Sequence, residues 1–284
     1  MNAFFNKQLA YARVPAADPQ AAARFAEEAL GLVRVDGEIA ALRSDARQQT
    51  LVFDPMPSSS AIGLELDDEA ALERMAECLR FAGYVCERLD TQACLHRRIR
   101  SGVVTRGPSD TLVEFVTRLE LSARRFYPSR DSGVVGLSAV GLRSRNIERD
   151  LVFWTDLIGA EISDRVGDIA YLRLDHAHHR IALYPSERSG LLYVGFRVRT
   201  HDDIMRNAYL LQESQVRIVH GPGCETASGR TFVRFLGLDE QMFMLDFAEH
   251  EEVAGRRPRQ FALDRYALCA WGSPCHDIPE LATA

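Results

Sequence analysis

The first information in the sequence comes from signatures that it lacks. No segment approaches the roughly 18 to 20 uncharged apolar residues of a membrane span, so we expect no membrane contact. The first residues, MNAFFNKQLAYARV, lack the basic, apolar and small-residue regions of a secretory signal. The formal net charge is −6, and without a basic excess we expect no nucleic-acid partner.

Cysteine and glycine motifs are also missing. The six cysteines form no C-x-x-C pair and are too sparse for a disulfide framework, so we expect a cytoplasmic protein. The stretch GPGCETASG lacks the G-x-G-x-x-G spacing and indicates a turn rather than a phosphate-binding loop. The 284 residues are 46% hydrophobic and 26% charged, which is enough apolar content for a sizeable core.

The chain contains an internal repeat. LAYARV begins at residue 9 and LSAVGL at residue 137, an offset of 128. IAAL and IAYL begin at residues 39 and 169, an offset of 130, and LVEF and MLDF begin at residues 112 and 244, an offset of 132. Because the offset drifts by so little over the chain, these anchors predict a tandem duplication.

Each copy predicts a strand, a helix, short strands, a strand leading into a second helix, and further strands. The helical stretches QAAARFAEEALG and IERDLVFWTDLIG both end at glycine, a common helix C-terminus, and Asp18 and Asn146 precede them as good N-caps. Each half therefore contains two βαβββ modules. We predict domains over residues 1–122 and 133–252, with a C-terminal extension over 253–284 that packs on the second domain.

This layout, together with LDHAHHRIALYPSE, VRTHDDIMRNAYLL and RPRQFALDRYALCAWGS, resembles the two-domain type I extradiol ring-cleavage dioxygenases of the vicinal oxygen chelate superfamily. The resemblance implies an α+β fold in which each domain forms an incomplete barrel. It also implies an aromatic small molecule as substrate or ligand, such as 2,3-dihydroxybiphenyl, and assembly into a homo-oligomer.

The resemblance also locates the metal positions of the family. The second domain of those enzymes holds Fe(II) or Mn(II) through two histidines and one carboxylate. Here the histidine positions fall on Ala139 and Tyr193, and the carboxylate position falls on Asp246. Alanine supplies no donor atom, and a neutral phenol is a poor ligand for Fe(II) compared with imidazole. We therefore predict an eroded site with no metal and no cofactor.

Three side chains are candidate catalytic groups. His179 matches a family histidine that handles protons or oxygen, and imidazole can carry protons near neutral pH. Tyr193 could donate a phenolic hydrogen bond. A buried Asp246 needs a partner, a cavity or a raised pKa. Alternation along a strand would place His178 on the face opposite His179, together with His176 at the surface.

The matching region of the second domain contains further candidates. We expect His220, Phe232 and Leu236 to contact the substrate.

Three functions stay open on the sequence alone. The first is a metal-independent acid–base enzyme, a hydrolase, isomerase or C–C lyase, acting on an aromatic or enolic compound through the three catalytic candidates. The second is a non-catalytic binder of aromatic small molecules. The third is an extradiol dioxygenase with an unorthodox metal site that recruits His220, His201 or Glu225. We rank the enzyme first, because a retained histidine, phenol and acid would be unneeded in a pure binder.

Overall fold

The computed structural model describes residues 7–249 and 255–282. The first half of the chain forms one eight-stranded sheet, in the order β2-β3-β4-β1-β5-β8-β7-β6. Its strands are β1 (Lys7–Ala16), β2 (Val33–Arg34), β3 (Ala40–Arg43), β4 (Leu51–Pro55), β5 (Ala61–Leu66), β6 (Cys86–Arg88), β7 (Ile99–Arg106) and β8 (Leu112–Leu119). Its helices are α1 (Pro19–Leu30), α2 (Glu69–Phe81) and α3 (Thr91–Arg97).

The second half forms a ten-stranded sheet, in the order β17-β10-β11-β12-β9-β13-β16-β15-β14-β18. Its strands are β9 (Val134–Ser144), β10 (Glu161–Val166), β11 (Ile169–Arg173), β12 (Ile181–Pro185), β13 (Gly190–Val198), β14 (Ile218–Cys224), β15 (Thr231–Leu236), β16 (Met242–Phe247), β17 (Arg259–Phe261) and β18 (Trp271–Gly272). Its helices are α4 (Ile147–Val152), which continues as a π-helical turn over Phe153–Leu157, and α5 (His201–Glu213).

The strand orders confirm the α+β fold of tandem domains. Without the two added edge strands β17 and β18, the second sheet repeats the order of the first sheet strand by strand. The pairing agrees with the offsets of the repeat, because Tyr11 lies opposite Gly63 in the first domain and Ala139 lies opposite Gly195 in the second. Along the sequence, the strands of the first sheet come before residues 120–133 and those of the second sheet come after them. The exact domain boundaries stay a prediction.

The closing strands show one difference between the copies. Glu114 and Asp246 lie on the corresponding strands β8 and β16, as the repeat predicts. In the first domain Gly63 pairs with Glu114, whereas in the second domain Gly195 pairs with Met244. The two acids are therefore two residues apart in register. Such a shift leaves a side chain on the same face of the sheet, because side chains alternate with a period of two, so the sequence pattern alone could not detect it.

Both predicted helix boundaries are present. The side chain of Asp18 accepts a hydrogen bond from the backbone at Ala21, and that of Asn146 accepts one from Arg149. Gly31 and Gly159 follow the helices with φ of 75° and 77°, a left-handed conformation that glycine adopts at little cost. These caps define where each helical segment begins and ends.

The two faces of the second sheet have different neighbours. Apolar residues of α4 and α5 pack on one face and join a core that also includes the first domain. The other face encloses what we call the barrel interior, a separate cluster that includes Tyr171, Tyr184, Tyr193, Phe232, Met242 and Met244. The C-terminal extension adds Ala267, Leu268, Cys269, Cys275 and Leu281 to this cluster.

The extension is joined to the second sheet at both edges, through β17 on β10 and β18 on β14. It therefore packs on the second domain, as predicted. Within the described part of the chain, no helix has the length and apolarity needed to cross a membrane.

Candidate functional site

Tyr193 lies inside the barrel, on β13. It is fully buried and lies opposite Gly141 of β9. A Cβ atom at position 141 would be 2.4 Å from the Tyr193 ring, so the ring rests directly on the backbone of the neighbouring strand, where only glycine leaves room. The tyrosine thus fills space inside the barrel beside Ala139, which is also fully buried.

Arg234 occupies the barrel interior next to this tyrosine. Its guanidinium carbon lies 5.2 Å from the centroid of the Tyr193 ring and 4.3 Å from that of Phe232, distances typical of cation–π contacts. Arg234 donates to the Oε1 atom of Glu225 at 3.1 Å, and its Nη1 lies 2.9 Å from His220 Nδ1. Only 1% of Arg234 is exposed, so this cation is held entirely by protein groups.

Asp246 has a cationic partner. Its Oδ2 atom accepts from Arg197 at 3.0 Å and lies 3.6 Å from Arg230 Nη1. The first copy uses the same principle, because Arg97 binds both carboxylate oxygens of Glu114 at 2.6 and 2.8 Å. Of the three possibilities open for a buried Asp246, the structure shows the ion pair.

These residues do not fit a divalent metal. Ala139 has no donor atom, and burial raises the pKa of the Tyr193 phenol well above its usual value, which disfavours the phenolate that would bind a metal well. Asp246 is already paired with Arg197. The positive charge of Arg234 would repel a metal ion in the barrel interior. Within residues 7–249 and 255–282, no group of three or more histidine, cysteine or acidic side chains could hold a metal ion.

His179 belongs to a directed chain of hydrogen bonds. Arg230 Nη1 lies 3.3 Å from His179 Nε2, and the Nδ1 atoms of His178 and His179 lie 3.0 Å apart. His178 Nε2 lies 2.9 Å from the carboxylate of Asp164. Arginine can only donate, so His179 accepts at Nε2 and donates from Nδ1. His178 then donates from Nε2 to Asp164.

Both histidines in this series of hydrogen bonds are biased toward the neutral form. Burial lowers the pKa of His178, and burial together with Arg230 lowers the pKa of His179 well below its usual value. Since the lone pair of His179 is used by Arg230, this imidazole is a poor general base. Asp164 also accepts hydrogen bonds from Arg256 and Arg259, so the chain ends on the C-terminal extension.

The expected alternation of the histidines is wrong. Residues 174–180 form a bent loop between β11 and β12 rather than a strand. The bend lets the neighbouring His178 and His179 both face the interior, and His176 alone is exposed. The rule that adjacent side chains point to opposite faces applies only where the backbone is extended.

Acid is expected to destabilise the fold through its buried neutral histidines. Burial and Arg234 lower the pKa of His220 to about 2, so the unfolded chain takes up the proton first as pH falls below about 6.5. The stabilisation that the neutral His220 provides is complete above about pH 6.5 and is lost progressively as the pH falls below that value. One such histidine changes the free energy of unfolding by about 2 kcal/mol between pH 7 and pH 5.

Urea unfolding at pH 5, 6, 7 and 8 checks this expectation. The His220→Gln variant should lose about 2 kcal/mol less than the parent between pH 7 and pH 5. His176→Gln, which alters an exposed histidine, should follow the parent. Equal pH dependence in the parent and His220→Gln would contradict the assignment.

A cleft of about 1130 Å³ lies at one end of the barrel, where β9 ends, β13 begins and β15 ends. We call this region the mouth. Its apolar wall is formed by Leu192, Leu236 and Ile278, which also pack against the barrel interior. Around these residues the cleft carries polar and charged side chains, including Arg143, Ser186 and Arg188. Most of the residues that line the cleft are polar or charged, so the apolar wall is only one part of its surface.

The predicted site residues are divided between the interior and the mouth. In the interior, Arg230 contacts both His179 and Asp246, whereas Tyr193 lies against Arg234. His220 and Phe232 are buried around Arg234. Leu236 alone among the six predicted residues lines the cleft. Their roles in catalysis or binding stay predictions.

The sequence reasoning missed the arginines. Arg230 directly precedes β15, and Phe232 and Arg234 follow at alternate positions on it, so Arg234 shares a face with the buried phenylalanine. This alternation with a buried phenylalanine could have indicated from the sequence that the arginines point into the barrel interior. The partner of Arg234, Glu225, gave no such signal, because it lies after β14 in a turn.

Two tandem sheets of this strand order, each enclosing an incomplete barrel, define the vicinal oxygen chelate fold. The model of the Glyoxalase/Bleomycin resistance protein/Dioxygenase superfamily matches residues 136–247 of the chain. The chain is 29% identical over 197 residues to a biphenyl-2,3-diol 1,2-dioxygenase of Pseudomonas sp. strain KKS102, an alignment covering 62% of this chain and 67% of that enzyme.

Solved structures share the whole fold. A halotolerant catechol dioxygenase superposes with a TM-score of 0.87 at 18% identity, covering 98% of this chain and 97% of that one. A Mn(II)-bound glyoxalase from Novosphingobium aromaticivorans gives a TM-score of 0.83 at 22% identity, covering 98% and 94% of the two chains. The resemblance to extradiol dioxygenases that the sequence indicated is confirmed at the level of homologues and fold.

Proposed function

We propose that this protein is a metal-independent, non-catalytic binder of an aromatic small molecule, and that the ligand lies in the cleft at the mouth of the second barrel. The observation that carries the proposal is that the barrel interior is filled by side chains, whereas the mouth contains an open cleft. Tyr193 and Arg234 fill the interior, where the family places its metal, while the mouth keeps a cleft of about 1130 Å³. Relatives named for biphenyl-2,3-diol and catechol support an aromatic ligand.

The geometry favours binding over acid–base catalysis. The lone pair of His179 accepts from Arg230, and Asp246 is paired with Arg197. Burial raises the pKa of Tyr193, so this phenol is a weak acid. None of these three side chains lines the cleft. The acid–base enzyme that ranked first on the sequence therefore becomes the second hypothesis.

A dioxygenase with an unorthodox metal site has less support. His220 and Glu225 are both bound to Arg234. His201 is exposed and lies beside the ring of Trp271, 6.4 Å between centroids. These three residues do not form one ligand set. Assembly into a homo-oligomer and a cytoplasmic location stay predictions.

Binding of 2,3-dihydroxybiphenyl and catechol, followed by isothermal titration calorimetry, tests the proposal. At least one of the two should bind the parent protein, and Leu236→Ala should weaken that binding by about tenfold or more, since burying a leucine side chain contributes about 1.5–3 kcal/mol. Leu238→Ala removes an exposed leucine two residues further on and should leave the affinity unchanged.

Mass spectrometry of the ligand after prolonged incubation separates the hypotheses. A binder returns the compound unaltered. Conversion that disappears in His179→Ala would replace the proposal with the acid–base enzyme. Failure of both compounds to bind, or equal affinity in the parent and Leu236→Ala, would contradict a site at the mouth.

A further inference from the structure

A carboxylate of the protein itself is held inside the cleft. Glu280 belongs to the C-terminal extension, in a short 3-10 turn over Pro279–Leu281. Its Oε1 atom accepts from Arg143 Nε at 2.8 Å, from Ser186 Oγ at 2.7 Å and from Arg188 Nη2 at 3.3 Å. Its side chain is only 3% exposed. Two guanidinium groups and a hydroxyl thus converge on one carboxylate at the mouth of the barrel.

This position is specific for an ionised carboxylate. Burial alone would raise the pKa of Glu280, but hydrogen bonds from Ser186, from the backbone and from Arg143 lower it overall. Charge-assisted hydrogen bonds of this kind are stronger than those between neutral groups. The position therefore favours an anion over an uncharged group of the same shape.

The arginine at its centre is fixed independently of Glu280. Arg143 Nη1 donates to the carbonyl oxygen of Leu191 at 2.5 Å, and 17% of its side chain is exposed. Arg143 lies on β9 on the same face as Ala139 and Gly141, since alternate residues share a face. If Glu280 moved away, Arg143 would still point at the same place, so this donor is preorganised for a replacement carboxylate.

The apolar wall lies next to these donors. Leu192, Leu236 and Ile278 line the same cleft as Arg143 and Ser186. A planar ring against the leucines with an acidic substituent toward Arg143 would satisfy both parts of the cleft. A neutral aromatic ring would use only the apolar part.

We propose that Arg143, Ser186 and Arg188 form a subsite for the carboxylate of an aromatic carboxylic acid, and that Glu280 occupies this subsite when the ligand is absent. The proposal rests on the proposed function, because it specifies the ligand class of the same cleft. Glu280 is an intramolecular competitor. Its effective concentration, on the order of millimolar or more for a tethered group, reduces the apparent affinity for the free acid.

Calorimetric titration of the full chain with salicylate, an aromatic carboxylate, and salicylamide, its uncharged analogue, tests the proposal. Glu280→Ala should bind salicylate at least ten times more tightly than the parent, with no gain for salicylamide. Asp131→Ala is the control. Asp131 also pairs with an arginine, Arg206 at 2.6 Å, but its side chain is 72% exposed and does not line the cleft. This variant should bind as the parent does.

Two further variants make the test decisive. Glu280→Gln keeps the size of the side chain and should show a smaller gain of the same sign, which protects the test if Glu280→Ala unfolds in urea much earlier than the parent. Arg143→Gln added to Glu280→Ala should abolish the gain. Equal gains for salicylate and salicylamide would mean that the mouth has only been opened, and would overturn carboxylate recognition.

The catechol-type probes separate the two proposals. If those probes bind the parent while Glu280→Ala gains nothing for salicylate, the carboxylate subsite is wrong and the proposed function stands. If no aromatic probe binds the parent or any variant, both proposals fall.

Discussion

Replacing Arg234 with alanine should lower the free energy of unfolding by about 3–5 kcal/mol, the range observed when one partner of a buried ion pair is removed. The guanidinium is enclosed by the rings of Tyr193 and Phe232 and is paired with Glu225. Its loss leaves the Glu225 carboxylate buried without this partner and opens a cavity between the rings. Urea unfolding at pH 7 measures the difference.

Two comparisons show whether charge burial is the cause. Arg217→Ala removes an arginine from an exposed ion pair with Asp277 and should cost less than about 1 kcal/mol. Arg234→Met combined with Glu225→Gln should recover much of the stability, because no unpaired charge is then left inside. An Arg234→Ala variant as stable as Arg217→Ala would mean that Arg234 does not fill the barrel.

The fold was predictable because its signals are redundant. Strand and helix periodicity, the capping residues Asp18 and Asn146 and the glycine stops repeat in both halves, so each copy supports the other. The register of the closing strand was not predictable to the residue. A shift of two along β16 leaves Asp246 on the same face, and the hydrophobic pattern is unchanged.

The site was predictable only in part. The absence of imidazole at positions 139 and 193 follows from residue identity, and the burial of Asp246 from its apolar neighbours in sequence, whereas the burial of His179 was not predicted. What those two side chains bind did not follow, because Arg197 and Arg230 are distant from them in sequence and reach them only through the sheet. Long arginine side chains carry no positional pattern that specifies a partner.

The mouth was beyond sequence reasoning for a similar reason. Its donors Arg143 and Ser186 lie on separate strands or turns of the second domain, and Glu280 arrives from an extension with no counterpart in the first domain. No repeat mate existed for comparison. Only the folded chain brings the three together.

Iron loading with simultaneous oxygen uptake tests the central claim, that Tyr193 and Arg234 have replaced the metal centre. The protein is incubated anaerobically with Fe(II), desalted, analysed for metal and then mixed with 2,3-dihydroxybiphenyl in an oxygen electrode. The biphenyl-2,3-diol 1,2-dioxygenase of Pseudomonas sp. strain KKS102 serves as the positive control. We predict well under one equivalent of iron and no oxygen consumption, since Ala139 offers no ligand and Arg234 repels the cation. One equivalent of bound iron together with oxygen uptake and a yellow ring-cleavage product would contradict the account.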